Sequence, residues 1–333
     1  MAAETASLLL KELIMKRFLL SLAVSLFATT AYAAPKHWVV GFSQIGSESE
    51  WRTADTISVQ TAFNEDLSFT LIYSDAQQKQ ENQIKALRSF IARKVNVILF
   101  TALVETGYGP VLQEAKKAGI PVVMIDRDVA EADRHLRLTI MGSDFVKEGE
   151  KAGNWLADYL KKKGLDDGAK QINIVELQGT TGSAPAIDRK KGFENILAKH
   201  PNWKVTRSQT GNFTSSEGKA VMEAFLKADK NIQVLYAHND QMALGAIQAI
   251  KEAGLNPGKD IIIVSVDAVK GAFEAMVKGE LNCSVECSPL LGPQALQAVK
   301  DLRAGKKLPA RIWTIEGIFD ETNAKEALPS RQY

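Results

Sequence analysis

Short apolar runs rich in valine, isoleucine and phenylalanine alternate along this chain with helical stretches of ten to twenty residues, and that rhythm restricts the fold more than any other feature. The runs are WVVGF (38–42), FTLIY (69–73), VNVILF (95–100), PVVMI (121–125), INIVEL (172–177), WKVTR (203–207), IQVLYA (232–237) and IIIVSV (261–266). A strand buried on both faces reads as a continuous apolar run, and helices covering a parallel sheet bury it in that way. The segments between them carry the other half of the pattern. One over 79–93 sets Ile84, Leu87 and Ile91 on one face; one over 145–162 sets Trp155, Leu156 and Tyr159 near one side. The expected class is α/β with doubly wound parallel sheets.

The N-terminus is read apart from this fold. Residues 16–33, KRFLLSLAVSLFATTAYA, hold a basic start, an apolar stretch and a small-x-small end, the features of an export signal cut after Ala33. Met15 is the more natural start, because the residues before it only dilute the positive charge with Glu4 and Glu12. The apolar stretch falls short of the ~20 residues that span a bilayer, and nothing later reaches that length. About 300 residues remain, enough for two ordinary domains. Removing the leader moves the net charge from +2 to +1 and leaves no basic block, which argues against nucleic acid as a partner. Cys283 and Cys287 are the two thiols; their spacing lacks the further ligands of a zinc site, and as residues four apart on a strand they lie ~13 Å from each other, beyond disulfide reach. They read as packing residues. No metal or cofactor set is read.

Two segments echo each other. VLQEAKKAGIPVVMIDRDV (111–129) and AIQAIKEAGLNPGKDIIIVSVDAV (246–269) both run through a helix, a K-x-A-G turn, a proline and a strand that ends on an acid, Asp126 or Asp267. Ligands of open parallel sheets sit outside the carboxyl ends of the strands, so two facing halves would aim both acids into one cleft. Other polar groups follow other strands: residues 44–52, SDAQQ (74–78), DRD (126–128) and HND (238–240). Planar donors and acceptors, with Trp51 and Phe213 offering flat apolar faces, suit a ligand with many hydroxyls and apolar C–H patches. That ligand is a sugar. His238 reads as structural, and Asp240 as the cap of the helix after it.

The stretches VGFSQIGSESEWR, DAQQKQENQIKALRSFIA, IPVVMIDRDV, IVELQGTTGSAPAIDRKKGF, YAHNDQMALGAIQAIKEAG and VSVDAV together resemble the periplasmic sugar-binding proteins of ABC transporters. The likeness is to the ribose-binding-like cluster and, within it, to the galactofuranose binders. It implies a type I periplasmic binding protein: two doubly wound lobes joined by a three-strand hinge that shuts on one monosaccharide, with no catalysis and no cofactor. The implied first lobe is 34–140 with about 289–313, and the second is 141–288 with about 314–333. The implied ligand contacts are Glu48, Ser49, Glu50, Trp51, Arg52, Gln78, Asp126 and Arg127 from the first lobe, and Arg189, Phe213, Asn239 and Asp267 from the second. Relatives have glycine where Glu50 stands. The glutamine of ribose binders near the last crossing has no counterpart, since Cys287 stands there, which argues against ribose. The implied partners are an ABC permease and, through it, a cytoplasmic ATPase, with the binding protein a periplasmic monomer.

Three other readings fit less well. A dinucleotide enzyme needs G-x-G-x-x-G, and QGTTGSA (178–184) lacks that spacing. A glycosidase would use Glu48 with Glu50, or Asp126 with Asp267, as acid and base, but arginine beside the acids favours their charged form and spoils a general acid. A lactose-repressor-like regulator shares the two-lobed core but needs a basic helix-turn-helix, and a leader stands in its place.

Overall fold

The computed structural model describes residues 37–333, so the export signal expected over 16–33 lies outside the described residues. Two six-stranded sheets organise the chain. The first holds β1 (Trp38–Gln44), β2 (Phe69–Asp75), β3 (Val97–Phe100), β4 (Val122–Ile125), β5 (Thr139–Gly142) and β11 (Arg311–Trp313) in the order β11-β5-β4-β3-β1-β2. The second holds β6 (Ile172–Gln178), β7 (Trp203–Thr210), β8 (Val234–Ala237), β9 (Ile262–Asp267), β10 (Cys283–Glu286) and β12 (Ile318–Asp320) in the order β12-β10-β9-β8-β6-β7. Every pairing within the sheets is parallel except β10 with β12. The first five strands of each half follow the same 2-1-3-4-5 order, in which the chain reverses direction across the sheet beside its first strand and opens a crevice there.

The helices are α1 (Glu50–Asn64), α2 (Gln80–Ala92), α3 (Gly109–Lys117), α4 (Phe145–Lys162), α5 (Ala184–Leu197), α6 (Ser215–Ala228), α7 (Asp240–Glu252), α8 (Lys270–Val277), α9 (Gly292–Arg303) and α10 (Ala324–Ala327). None of the described helices is long and apolar enough to cross a membrane. In β3 the four residues alternate between two cores: Ile98 and Phe100 pack toward Phe90, Val111 and Leu112, whereas Val97 and Leu99 pack toward Phe63, Leu291 and Val299. Both faces of the strand are therefore covered, the physical reason it reads as an unbroken apolar run. The edge strands β2 and β7 are covered less fully, and exposed or half-buried residues interrupt them.

All eight apolar runs form strands, with β3 beginning at Val97 rather than at 95 and β8 at Val234 rather than at 232. The short strands β5, β11 and β12 were not marked by any run. They are three or four residues long, and they exist because neighbours pair with them: β11 lies along β5, and β12 along β10. Three segments pass between the sheets, 143–144 from β5 to α4, 287–291 from β10 to α9, and 314–317 from β11 to β12.

Helices α4 and α5 cross at glycine. A Cβ on Gly192 would lie 2.0 Å from the carbonyl oxygen of Val146, and one on Gly149 would lie 2.2 Å from that of Arg189. This close approach sets Glu148 of α4 against Arg189 of α5. Gly192→Ala should cost ~1–3 kcal/mol through overpacking, lowering the urea midpoint with little change in slope. A midpoint equal to that of the parent chain would show that the crossing has slack.

Candidate functional site

The first wall of the site grows from the loop after β1. Ser49 caps α1 by accepting from the Arg52 amide at 3.1 Å, which places Trp51 and Arg52 in the first turn of the helix, facing inward. Arg52 is 2% exposed and meets three carboxylates: Asp126 at 2.7 Å, Glu48 at 3.3 Å and Asp55 at 3.3 Å. Burial alone would lower its pKa, but Asp126, Glu48 and Asp55 together outweigh burial and hold it above its ordinary value. Trp51 stacks beneath the same guanidinium at 4.6 Å and donates its indole N–H to the carbonyl of Cys287 at 2.6 Å. That bond joins the first lobe to a crossing segment.

Asp126 and Arg127 stand at the carboxyl end of β4, where Asp126 takes a φ of 61°, a left-handed conformation that aspartate tolerates better than most residues. The turn frees both side chains from the strand. Arg127 donates one Nη to the Leu103 carbonyl at 3.3 Å, and its Nη2 lies 3.8 Å from Glu48. Its Nε is buried and has no hydrogen-bond partner. Burial and the neighbouring Arg52 push its pKa down to about 10.

The second lobe supplies the opposite wall. Phe213 follows β7 with a φ of 64° and lays its ring under the Arg127 guanidinium at 5.0 Å. Arg189 projects from α5: its Nε donates to Glu148 at 2.7 Å, Nη1 donates to the His238 carbonyl, and Nη2 lies 3.5 Å from Asp267. Asp267 ends β9 with a φ of 123°, as Asp126 ends β4. Neither aspartate caps the helix that follows. Burial raises the Asp267 pKa, and Arg189 only partly offsets it.

These walls line one shared polar cavity. Ten of the expected residues line it: Glu48, Ser49, Trp51, Arg52, Asp126 and Arg127 on one side, Arg189, Phe213, Asn239 and Asp267 on the other. Pro185 and Cys287 complete the lining and were missed. Cys287 follows β10, so the strand-end pattern that marked Asp126 and Asp267 also pointed to it. Three guanidinium groups face three carboxyl groups across this space. A neutral ligand with many hydroxyls can share those donors and acceptors, whereas an ion would unbalance them.

Two expected residues stand outside. Glu50 is exposed in an outer groove with Ser47, Thr53, Ile57 and Gln241. Gln78 is exposed in another outer groove and donates to Glu48 at 2.7 Å, so it orients a lining residue without reaching the cavity. A third reading is corrected: Asn239, not Asp240, caps α7, accepting from the Met242 amide at 3.0 Å while its Nδ2 donates to the Phe213 carbonyl. Asp240 lies deeper and accepts from Ser265, from Ser284 and from the Val269 amide. His238 is fully buried on Glu176 at 3.1 Å. Cys283 and Cys287 are free and buried. Glu148, Cys287 and Glu316 bring possible donor atoms within 4.8 Å of one another. The Arg189 guanidinium occupies the same carboxylate, and we read this group as hydrogen-bonded packing rather than a cation site.

Two sheets of matching order, with three segments crossing between them around one polar cavity, define a two-lobed ligand-binding protein. The model of the periplasmic binding protein domain matches residues 40–307, and the chain belongs to that family. It is 46% identical over 322 residues to the galactofuranose-binding protein YtfQ of Escherichia coli, covering 95% of this chain and 98% of that one. A structure from Mycobacterium smegmatis in complex with β-D-fucofuranose superposes with a TM-score of 0.84 at 48% identity, covering 89% and 95% of the two chains. The arabinose-transporter binding protein of Shewanella sp. ANA-3, bound to α- and β-L-arabinofuranose, gives 0.82 at 49%, covering 88% and 95%. Relatives of this kind bind solutes for transport, and the chain is a binding protein rather than an enzyme.

Asp55 gives the first wall a pH signature. It is fully buried, and burial pushes its pKa up to about 7 against the pull of Arg52. A raised acid holds its proton longer in the folded chain than in the unfolded one. Its contribution therefore destabilises above pH 7 and is relieved as pH falls from 7 toward the ordinary aspartate value near 3.8. Asp55→Asn should flatten the dependence of Tm on pH between about 5 and 8. A thermal-unfolding series in which variant and parent keep the same slope would contradict this assignment.

Proposed function

We propose that this chain captures one monosaccharide in its furanose form, galactofuranose by preference, and delivers it to an ABC permease driven by a cytoplasmic ATPase. The observation that carries this reading is the cavity itself, with a buried Arg127 Nε that stands 3.7 Å from Asp126, too far for a hydrogen bond, and carboxyl groups arriving from both lobes. A buried donor left without a partner costs ~1–3 kcal/mol, so a ligand hydroxyl or ring oxygen there recovers that energy. The names of the relatives, which speak of galactofuranose, fucofuranose and arabinofuranose, support a furanose over a pyranose. Cys287 in place of the longer glutamine of ribose binders supports a hexose over ribose.

Binding proceeds by closure. Sugar docks on one lobe, the other completes its hydrogen bonds, and the closed form becomes the majority. The lobes turn about 143–144, 287–291 and 314–317, and no covalent bond changes. The chain acts as a monomer in the periplasm after loss of a leader ending at Ala33. Glu50 lines an outer groove shared with Gln241 of the facing lobe, away from the sugar cavity.

Calorimetric titration with D-galactose, D-fucose, L-arabinose and D-ribose, each as its equilibrium mixture of ring forms, tests the ligand class, and a crystal of the tightest complex identifies the ring. Galactose should bind most tightly. Charge-assisted hydrogen bonds contribute ~1.5–3 kcal/mol, so Arg127→Ala should weaken binding by about tenfold or more. Gln78→Ala should weaken it far less. An Arg127→Ala protein with unchanged affinity would overturn the site, and binding confined to arabinose would move the assignment to a pentofuranose.

A further inference from the structure

Glu148 lies behind the cavity and does not line it. It is 1% exposed, on the first turn of α4, and its Oε2 holds the Nε of Arg189 at 2.7 Å. The Gly149–Gly192 crossing fixes that geometry. Its other oxygen, Oε1, is buried with no nitrogen or oxygen donor on it; the Cys287 thiol is its weak partner, favouring the charged form, and the carboxyl of Glu316 stands in the same group. Glu316 is itself unusual. One of its oxygens accepts from Ser143 of the first crossing segment, from the Ser288 amide of the second at 3.0 Å, and from Thr314 of the third at 2.7 Å. All three strands of the hinge meet on a single carboxylate, next to the group that aims Arg189.

We propose that Glu148 is a positioning residue for Arg189 and that Glu316, at the hinge, sets its protonation, so that the hold on the ligand weakens when the pair takes up a proton. The proposal rests on the reading of the cavity as a sugar site. The groups facing Glu148 are Arg189 of α5, Cys287 after β10, Glu316 before β12, and, further off, Asp267 of β9 and Tyr236 of β8. Burial raises Glu148 to about 7, Arg189 pulls it back, and Glu316 pushes it up again. An ionised Glu148 gives Arg189 a charge-assisted bond, and a protonated one gives a weaker neutral bond. Oε1 is where the proton goes: from there it can be donated toward Glu316 or Cys287, both acceptors within the same group. Arg189 then keeps the His238 carbonyl and the longer contact to Asp267 but loses its nearest counter-charge, the one at Nε.

The test combines a ligand-free and a ligand-bound measurement. In the full chain without sugar, the Arg189 Nε–H resonance in proton–nitrogen spectra should be sharp at pH 8, broaden through pH 7, and be broad at every pH in Glu148→Ala. With D-galactose as probe, the dissociation constant of the parent should rise several-fold between pH 8 and 5.5. Glu148→Gln keeps an acceptor for Nε and should bind three- to tenfold more weakly at pH 8, with most of the pH dependence gone; what remains belongs to the other buried acids of the walls, Asp55 among them. Glu316→Gln keeps the hinge acceptor, removes the charge that raises Glu148, and should move the midpoint to lower pH. Thermal unfolding confirms that each variant is folded. Glu148→Gln with the parent pH profile, or Glu148→Ala with a sharp Arg189 resonance, would overturn the proposal. Failure of every sugar to bind the parent would instead strike the functional reading, leaving the resonance to decide the role of Glu148.

Discussion

Arg52, Arg127 and Arg189 are nearly fully buried, and the site depends on how their charge is balanced. A guanidinium taken out of water costs several kcal/mol unless carboxylates and hydrogen bonds replace its hydration. Arg52 is fully compensated by three acids, so it behaves as a structural rivet in the first wall. Arg127 is compensated only in part and keeps a buried Nε without a hydrogen bond, whereas Arg189 is held by Glu148 at 2.7 Å, by the His238 carbonyl and, at 3.5 Å, by Asp267. The incompleteness at Arg127 is functional. A ligand that supplies an oxygen to this donor recovers the cost of leaving it unpaired.

The fold delivers these groups by one device used twice. In each lobe a parallel strand ends on an aspartate with positive φ, Asp126 after β4 and Asp267 after β9. The turn breaks the alternation of the strand and aims the next side chains outward from the sheet edge. Residues held in such conformations carry strain that the surrounding structure must support. Support comes from packing on both sheet faces, where residues such as Leu99 and Val264 are fully buried. The rigid sheets thus hold the walls, and three short segments cross between them.

Most of the architecture was legible because its signal is local. Continuous apolar runs such as ILF and VVMI reflect burial on two faces, which depends on the sheet and not on distant partners. The short strands β5, β11 and β12 escaped because three or four residues carry too little pattern, and pairing with neighbours creates them. In the site, strand-end position marked Asp126, Arg127, Asn239 and Asp267. The same position marked Cys287, which was read as packing because a small thiol next to a strand has that as its commonest role. Gln78 and Glu50 were grouped with the lining by neighbourhood along the chain, yet a left-handed turn at Gln78 and the outward face of α1 turn them to solvent.

By itself the sequence determined the α/β class, the two similar halves, the set of polar side chains at strand ends and, through its likeness to a known group, the kind of ligand. Those properties are written in windows of about ten residues or in ordered motifs. Only the tertiary structure decided which of the polar groups share an enclosed space, that Arg52 is spent on three acids while Arg127 is not, and that Glu148 and Glu316 stand behind the wall. Charges and hydrogen bonds act over a few ångströms, and residues 52 and 126, or 148 and 316, come within that range only after two sheets have formed and the chain has crossed between them three times.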